Sequence, residues 1–586
     1  MLNPPLQMSQ QQEVWYSNDS SPVHSQIFLA RGDGTEEKPV LPLTGMDYSP
    51  SLSVDGKWVV FTSERKGSAD IYRVHPDGTG LEPLTQDPAF DDQATLSPDG
   101  KTLAFVSTRK SGYAQIWVMD VASRKARLVN SKPGSGFHPA WSPDGKWLAF
   151  SSDQRRFAGH LPGRWEKIQS LSVFVVKPDG SGLRRITRGR GVAGSPRWSP
   201  DGKRVFYYET TEVGAVYSSS GQVPMGANQI VSVDVNDGSF LQHTSGEGVR
   251  KWPHPLTDGS LAYLATDPDG VNSLNRIDGQ TNAKGTSGEL RSPSWSGDGS
   301  KVVYARIFAS KGIEILPGFS AQKDFKLTVL GGGGFYPAPS PNGGPMLISD
   351  IQSFLTLGRG NLIEKTLYSS AGTRSLVLSP AWSPDGKKIA FSQGSYFRPS
   401  NHPSGQIGLM NSDGSDVKLY GQTGTNCGSP SWSPDGKSIV YSQDGHLVIW
   451  TVADGRTKNL TPPGGQRDNF PEWSPNGDWI SFTSDRDEDE DFRIYLIRPD
   501  GTGLRRITHE SGDSHAVWSP DGKWLIFTSA RMGFKDEHAL SESPQPYGEL
   551  FIVRPDGSGL RQITDDKWEA GTPAWVRLAP WSVAAP

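Results

Sequence analysis

The chain has 586 residues, and its 59 basic and 63 acidic side chains give a formal net charge of −4. This balance leaves no net field to hold a nucleic acid, and the absence of an apolar run of about 18 residues predicts no membrane insertion. The 67 glycines, 45 prolines and 19 tryptophans are typical of many short strands joined by tight turns. Cys427 is the single cysteine, which excludes an intramolecular disulfide and a zinc site built from several cysteines.

We expect residues 1–12 to form a polar leader, in which no secretory signal is visible. The first predicted strand follows at residue 13. Val14, Trp15 and Tyr16 match the second strand of a unit that recurs along the whole chain, so the innermost strand of the first unit is missing.

The recurring unit contains four predicted strands. A strand ending in Trp leads into a Ser-Pro-Asp-Gly-Lys turn and a second strand, as in residues 141–150, and a variable segment follows. A third strand then leads through a Pro-Asp-Gly turn into a short fourth strand. In both turns proline presets φ and glycine accepts a positive φ. The first turn occurs eleven times, every 40 to 57 residues, with its glycine at Gly56, Gly100, Gly145, Gly202, Gly259, Gly299, Gly343, Gly386, Gly436, Gly477 and Gly522.

Units of this size must stack face to face, because one unit cannot bury both faces of its own sheet. The sequence therefore predicts an all-β fold, a β-propeller of twelve four-stranded blades, in which the C-terminal strand 571–576 completes blade 1. This pairing of the N- and C-terminal strands would close the structure. We expect two six-bladed rings, blades 1–6 in residues 13–284 and blades 7–12 in residues 285–586. A single twelve-bladed ring is the alternative, since no linker interrupts the series.

Two segments carry a resemblance to a known family. Residues 141–150 (Trp-Ser-Pro-Asp-Gly-Lys-Trp-Leu-Ala-Phe) and 498–508 (Arg-Pro-Asp-Gly-Thr-Gly-Leu-Arg-Arg-Ile-Thr) resemble the repeats of the TolB propeller and of the N-terminal propeller of dipeptidyl peptidase IV-like proteins. The resemblance covers nearly the whole chain and weakens over residues 258–366. The segment 533–537 (Gly-Phe-Lys-Asp-Glu) also resembles a group of uncharacterised TolB-like proteins. The family implies a periplasmic or secreted location.

The long insertions fall between the second and third strands of their units, which places them on one face of a propeller, opposite the tight hairpins. Loops on a rigid scaffold are where binding residues are usually found. Their cationic, imidazole and aromatic side chains suit carboxylates and sugar rings; the alternative is that they pack within their own loops. The candidate binding residues are Arg155, His160, Arg164, Trp165, Tyr396, Phe397, Arg398, His402 and Tyr547.

Two sets of residues are candidate metal ligands. Asp485, Asp487 and Asp489 alternate in an acidic segment and could bind a divalent cation such as calcium, with a solvated turn as the alternative. The second set consists of histidines near the innermost strands, because metal-dependent propeller lyases acting on uronates place histidines near the channel. These are His138, His254, His509 and His515, and ordinary structural histidines are the alternative.

The leading functional hypothesis is a non-catalytic binding or scaffold propeller that engages a protein, peptide or polysaccharide (glycan) on its loop-rich face. A metal-assisted lyase or hydrolase acting on an acidic polysaccharide is the alternative, and a purely structural role is the third. The sequence has no Gly-x-Ser-x-Gly elbow and no α/β-hydrolase region after the repeats, which argues against a peptidase.

Overall fold

The computed structural model describes residues 12–17, 24–43, 45–129, 134–154, 157–160, 167–188, 191–211, 228–278, 282–287, 289–308, 313–320, 322, 324–350, 353–357, 363–370, 375–394, 404–421, 424–487, 491–510, 512–537 and 548–576. Every helix or strand in this part of the chain is a β-strand. It accordingly contains no long apolar helix that could cross a membrane. The prediction of an all-β fold is confirmed.

The strands are short and follow one another closely along the chain. Those of the first half are β1 (Gln12–Ser17), β2 (His24–Arg31), β3 (Lys38–Pro39), β4 (Asp47–Leu52), β5 (Val59–Lys66), β6 (Ser68–Val74), β7 (Glu82–Pro83), β8 (Asp91–Leu96), β9 (Thr102–Ser107), β10 (Gln115–Asp120), β11 (Ala126–Leu128), β12 (Gly136–Trp141), β13 (Leu148–Ser152), β14 (Phe157–His160), β15 (Lys167–Gln169), β16 (Ser172–Val176), β17 (Arg184–Arg185), β18 (Val192–Trp198), β19 (Arg204–Thr210), β20 (Gln229–Asp234), β21 (Phe240–Gln242), β22 (Val249–Pro255), β23 (Leu261–Thr266), β24 (Asn272–Ile277) and β25 (Asn282–Ser287). Those of the second half are β26 (Leu290–Trp295), β27 (Lys301–Phe308), β28 (Glu314–Gly318), β29 (Phe325–Gly331), β30 (Phe335–Ala338), β31 (Met346–Ser349), β32 (Ser353–Leu357), β33 (Ile363–Ser369), β34 (Leu376–Trp382), β35 (Lys388–Gly394), β36 (Gly405–Asn411), β37 (Lys418–Tyr420), β38 (Cys427–Trp432), β39 (Ser438–Gln443), β40 (His446–Thr451), β41 (Thr457–Asn459), β42 (Asp468–Trp473), β43 (Ile480–Ser484), β44 (Arg493–Ile497), β45 (Arg505–Arg506), β46 (Asp513–Trp518), β47 (Leu525–Ser529), β48 (Glu549–Val553), β49 (Arg561–Gln562) and β50 (Gly571–Val576).

Within the described residues the strands form twelve four-stranded sheets, and β14 and β15 pair as a separate hairpin. Ten of the sheets are antiparallel meanders of strands that follow in chain order, with the β14–β15 hairpin inserted into one of them. The meanders form two runs of five, β4 to β25 and β30 to β49. Within each run, the first strand of a sheet contacts the first strand of the next sheet.

The other two sheets combine distant parts of the chain. In the sheet ordered β28-β29-β1-β50, β1 pairs antiparallel with β50 and parallel with β29, so that Val14 lies between Trp575 and Leu327. In the sheet ordered β26-β27-β2-β3, β2 pairs with β27 along all of its eight residues. β26 contacts β22 and β4, and β50 contacts β46 and β30.

This strand order differs from the unit boundaries that sequence analysis predicted. The first unit was expected to begin at residue 13 and the chain to divide between residues 284 and 285. Instead, β1 and β2 lie in different sheets, and β2 and β3 complete a sheet with β26 and β27. The physical reason is that an alternating pattern marks a strand and its buried face, whereas the identity of its partner depends on which sheet lacks a strand.

The hydrophobic core lies between neighbouring sheets. Val60 and Ile71 of one sheet pack with Leu103 and Phe105 of the next, and all four side chains are almost completely buried. Full burial of one such side chain is worth about 1.5–3 kcal/mol. Stacking of sheets therefore supplies the hydrophobic stabilisation that a single sheet lacks.

One edge strand of each four-stranded sheet contains a β-bulge at an equivalent position, and we call it the innermost strand of that sheet. The innermost strands are β4, β8, β12, β18, β22, β26, β30, β34, β38, β42, β46 and β50. The ladder to the second strand shifts register there, for example between Phe137 and Ala140. One residue in each bulge is not glycine and yet has a positive φ, between 32° and 55°. These bulge residues are Ser49, Gln93, His138, Ser195, Trp252, Ser292, Tyr336, Ser379, Ser429, Phe470, His515 and Thr572. A positive φ is costly for such residues, so the surrounding sheet must enforce it.

Tryptophans at the ends of innermost strands join neighbouring sheets. The indole N–H of Trp432 donates to the carbonyl of Ala381 at 3.2 Å, and that of Trp382 donates to the carbonyl of Ala338 at 3.1 Å. Trp575 of β50 makes the same contact with Val517 of β46, in the sheet that precedes it along the chain, at 3.2 Å. The Trp that ends the repeated strand thus forms a hydrogen bond between neighbouring sheets.

We expect Trp432→Phe to lower the free energy of unfolding by about 1 kcal/mol more than Trp473→Phe does. The indole nitrogen of Trp473 is buried without a hydrogen-bond partner among the described residues, so its removal loses no bond and relieves an unsatisfied donor. Urea unfolding followed by circular dichroism compares the two variants. Equal losses would show that the indole bond contributes nothing.

Candidate functional site

A cavity of about 480 Å³ lies among six innermost strands, β30, β34, β38, β42, β46 and β50. Its lining runs from the bulge of each strand toward the hairpin that follows. All six bulge residues of these strands reach it: Tyr336, Ser379, Ser429, Phe470, His515 and Thr572. The repeated position that strains the backbone is therefore also the position that lines the cavity.

The wall of the cavity is rich in proline and tryptophan because the motif x-Pro-x-Trp-Ser-Pro recurs in these strands. Proline carries no N–H and has a fixed φ, so it presents a rigid surface without donors. Prolines following bulge residues are Pro337, Pro380, Pro430, Pro471 and Pro573, and the tryptophans are Trp382, Trp432, Trp473, Trp518 and Trp575. Such a surface suits apolar and aromatic ligand groups.

Two hydroxyl groups in this wall are unused by the protein. The Oγ atoms of Ser379 and Ser429 are buried and have no hydrogen-bond partner within the described part of the chain. The backbone N–H of Ser429, by contrast, donates to Ser392 Oγ at 2.8 Å. The free hydroxyls can orient a ligand by donating or accepting one hydrogen bond each.

The cavity is uncharged at neutral pH. Among the described residues that line it there is no Asp, Lys or Arg, and their one carboxyl group belongs to Glu472. Burial raises the pKa of Glu472 to about 8, which keeps this group protonated. Burial lowers the pKa of His515 to about 3, so its imidazole is neutral as well. An ionic ligand would find no opposite charge here.

We expect Glu472→Gln to stabilise the protein increasingly as the pH rises from 5 to 9. The pKa of Glu472 is about 8 in the fold against an ordinary value of 4.5, so the unfolded state loses its proton first and stability falls across this interval. Glutamine removes that penalty. Thermal unfolding at several pH values measures the gap from wild type, and Glu247→Gln, at an exposed position, is the control. A stability difference between variant and wild type that does not change with pH would contradict the raised pKa of Glu472.

A second cluster of charges is buried where the segment 531–537 leaves its own sheet and reaches β8 and β12. Asp536 accepts from His138 Nε2 at 2.7 Å and from Lys567 Nζ at 2.7 Å, and Lys567 also lies 3.0 Å from Asp92. Burial raises the pKa of Asp536, but Lys567 and His138 outweigh burial and hold it well below its usual range. Burial lowers the pKa of His138, but the carboxylates of Asp536 and Glu537 outweigh burial and raise it. The charges are thus paired.

Most of the loop residues predicted to bind lie outside the described residues. These are Arg155, Arg164, Trp165, Tyr396, Phe397, Arg398, His402 and Tyr547, and His160 belongs to β14, whose side chains are not described. In the acidic segment, Asp485 pairs with Arg467 at 2.6 Å and Asp487 with Arg506 at 2.6 Å, while Asp489 is outside.

The four histidines proposed as metal ligands lie on different sheets or connections and do not converge. His254 is buried, with its ring 5.9 Å from that of Trp295, and His509 Nδ1 lies 3.0 Å from the guanidinium of Arg506. His138 contacts Asp536 and His515 lines the cavity. No group of three or more His, Cys, Asp or Glu side chains in the described ranges could hold a metal ion.

Apart from His515, sequence reasoning missed the cavity residues, although a signal for them existed. His138 and His515 were selected because each precedes the Pro-x-Trp or Ala-x-Trp of its unit. The same position holds Tyr336, Ser379 and Ser429 in other units. Aligning that column of the repeat would have identified the bulge residues.

Comparison with known proteins fits this architecture. The family described as TolB beta propeller domain matches residues 110–342 and 366–533, which is more than half of the chain. The chain belongs to the TolB beta-propeller domain family. This confirms the resemblance found in its repeats.

Three relatives show how far the likeness extends. An uncharacterized protein of Agrobacterium fabrum is 25% identical over 314 residues, 47% of this chain and 91% of that protein. A protein TolB homolog of Chlorobium luteolum is 31% identical over 100 residues, 17% of this chain and 19% of that protein. The structure of a putative TolB from Agrobacterium tumefaciens covers 50% of this chain and all 100% of its own, with 23% identity and a TM-score of 0.39.

Proposed function

We propose that the twelve sheets form two six-bladed rings, one from residues 24–308 and one from residues 314–576 together with 12–17. The contact of β26 with β4 supports closure of the first ring, and that of β50 with β30 supports closure of the second. A hydrogen bond from Tyr336 N–H to Thr572 Oγ1 at 3.2 Å joins β30 and β50, the first and last innermost strands of the second series, β30 to β50. The cavity lined by all six innermost strands of that series is the strongest support.

Electron microscopy of single particles distinguishes this arrangement from the alternative. We expect class averages with two adjacent rings of six blades each. A single ring of twelve blades would contradict the proposal.

The cavity of the second ring is the proposed binding site for a partner protein. Its ligand is an uncharged segment that carries aromatic or proline side chains. The observation that carries this proposal is a rigid wall of prolines and tryptophans with two hydroxyls that have no hydrogen-bond partner among the described residues. The described residues of this wall include no Asp, Lys or Arg. Acidic sugars would leave their carboxylates unpaired in such a cavity, which favours a protein over a charged polysaccharide.

The rest of the functional proposal is a non-catalytic scaffold in the periplasm or outside the cell, a location that rests on the TolB resemblance. Loop residues such as Arg164, Trp165 and Tyr396 are proposed as additional contacts on the loop-rich face. The alternative of a metal-assisted lyase gains no support from the separated histidines.

We expect Ser429→Phe to weaken binding of an uncharged ligand at least ten-fold, which is about 1.4 kcal/mol. Phenylalanine occupies the equivalent position in the neighbouring sheet as Phe470, so the bulge accommodates it while the side chain fills the cavity. The measurement is titration calorimetry with uncharged dodecapeptides, selected from a displayed library on the wild-type protein.

Val54→Phe is the matched control. Val54 lies in a hairpin of the first ring and is 70% exposed, so the same side chain is added outside any cavity. Wild type and Val54→Phe should bind the selected peptides equally. If Ser429→Phe also binds them equally, the cavity is not the binding site.

A further inference from the structure

Two segments of the chain have nearly the same sequence but different surroundings. Residues 194–202 read Gly-Ser-Pro-Arg-Trp-Ser-Pro-Asp-Gly, and residues 428–436 differ from them only in having Ser431 in place of Arg197. In the second segment, Ser429 N–H donates directly to Ser392 Oγ of the preceding sheet. Comparison of the two segments therefore shows which additional contacts the first segment makes.

In the first segment the equivalent backbone N–H and serine hydroxyl do not bond to each other, because the carboxylate of Glu537 lies between them. Ser195 N–H donates to Glu537 Oε1 at 2.8 Å, and Ser195 Oγ donates to Oε2 at 3.1 Å. Ser151 Oγ, which occupies the place of Ser392 in the preceding sheet, donates to Oε1. Glu537 comes from a distant sheet and is completely buried.

The pocket around this carboxylate is shaped for it. A Cβ atom on Gly194 would overlap the Glu537 carboxylate where it now lies, so glycine at this position leaves room for the carboxylate. Arg197 supplies positive charge nearby: burial lowers its pKa to about 10, and the Glu537 carboxylate opposes that effect. Hydrogen bonds to a carboxylate are stronger than those between neutral groups, so these contacts favour a carboxylate at this place.

The two residues before Glu537 also contact bulge residues. Gln93 Nε2 donates to the carbonyl of Lys535 at 3.3 Å, and His138 Nε2 contacts Asp536 Oδ1 at 2.7 Å. Lys535, Asp536 and Glu537 therefore contact the bulge residues Gln93, His138 and Ser195, which belong to three successive sheets. Each of the residues 535, 536 and 537 therefore contacts a different sheet.

We propose that the bulge residues Gln93, His138 and Ser195 form a binding site for an acidic peptide with adjacent Asp and Glu side chains, filled in this chain by its own residues 535–537. An acidic segment of another protein can enter this site only when residues 531–537 leave it. This site is separate from the uncharged cavity. It would select an acidic ligand, whereas the cavity would select an uncharged one.

The test uses the full-length double variant Asp536→Asn, Glu537→Gln and the acetylated, amidated peptide Gly-Phe-Lys-Asp-Glu. Neutral side chains weaken the internal segment, so we expect the variant to bind the peptide at least ten-fold more tightly than wild type in titration calorimetry. The peptide Gly-Phe-Lys-Asn-Gln should bind neither protein. Equal binding of the acidic peptide to both proteins, or binding to neither, would overturn the proposal.

A third substitution locates the binding. Gly194→Ala, added to the double variant, should abolish binding because its Cβ occupies the carboxylate position, whereas Gly428→Ala at the equivalent place in the second series should leave binding unchanged. Binding that survives Gly194→Ala would also overturn the proposal. Should the double variant fail to fold, Glu537→Gln alone keeps the His138–Asp536 contact and is measured in the same way.

Discussion

A bulge in every innermost strand is the constraint on which the rest of this molecule depends. It forces a residue with a side chain into a positive φ, a conformation that such residues rarely adopt. Twelve repetitions of this local strain are held in place by the packing of neighbouring sheets and by tryptophan bonds such as Trp432 to Ala381. As a result, each sheet presents one variable side chain at the equivalent position of its innermost strand. The proposed sites use the same position with different residues, aromatic and hydroxyl side chains in one and His138 and Ser195 in the other.

Much of the fold could be predicted because its local signals are repeated. Glycines such as Gly56 and Gly436 have positive φ in the predicted hairpins, and β1 pairs with β50 as the terminal sequences indicated. The exchange of β1 and β2 between two sheets could not be predicted. Both segments have the alternating pattern of a strand, and the choice of partner is decided by long-range packing that no short segment encodes.

The candidate site was harder to predict than the fold. Sequence reasoning looked for binding residues in the insertions, since loops usually carry them, and selected only histidines near the innermost strands. The described cavity lies instead toward the tight hairpins. The buried partnership of Ser195 with Glu537 joins residues 342 positions apart, and only the three-dimensional arrangement reveals it. The Gly-Phe-Lys-Asp-Glu segment had been noticed, but nothing in its sequence states which sheet it reaches.

The division of the N-terminal strands has a consequence for the order in which the protein can assemble during synthesis. β2 and β3 can pair with β26 and β27 as soon as Phe308, the last residue of β27, has left the ribosome. β1 waits much longer, because its antiparallel partner β50 (Gly571–Val576) is made long after β27 (Lys301–Phe308). Until then β1 has no antiparallel partner, and its exposed edge is a place where another chain can pair. The nascent protein therefore has a prolonged period in which shielding by a chaperone is most valuable.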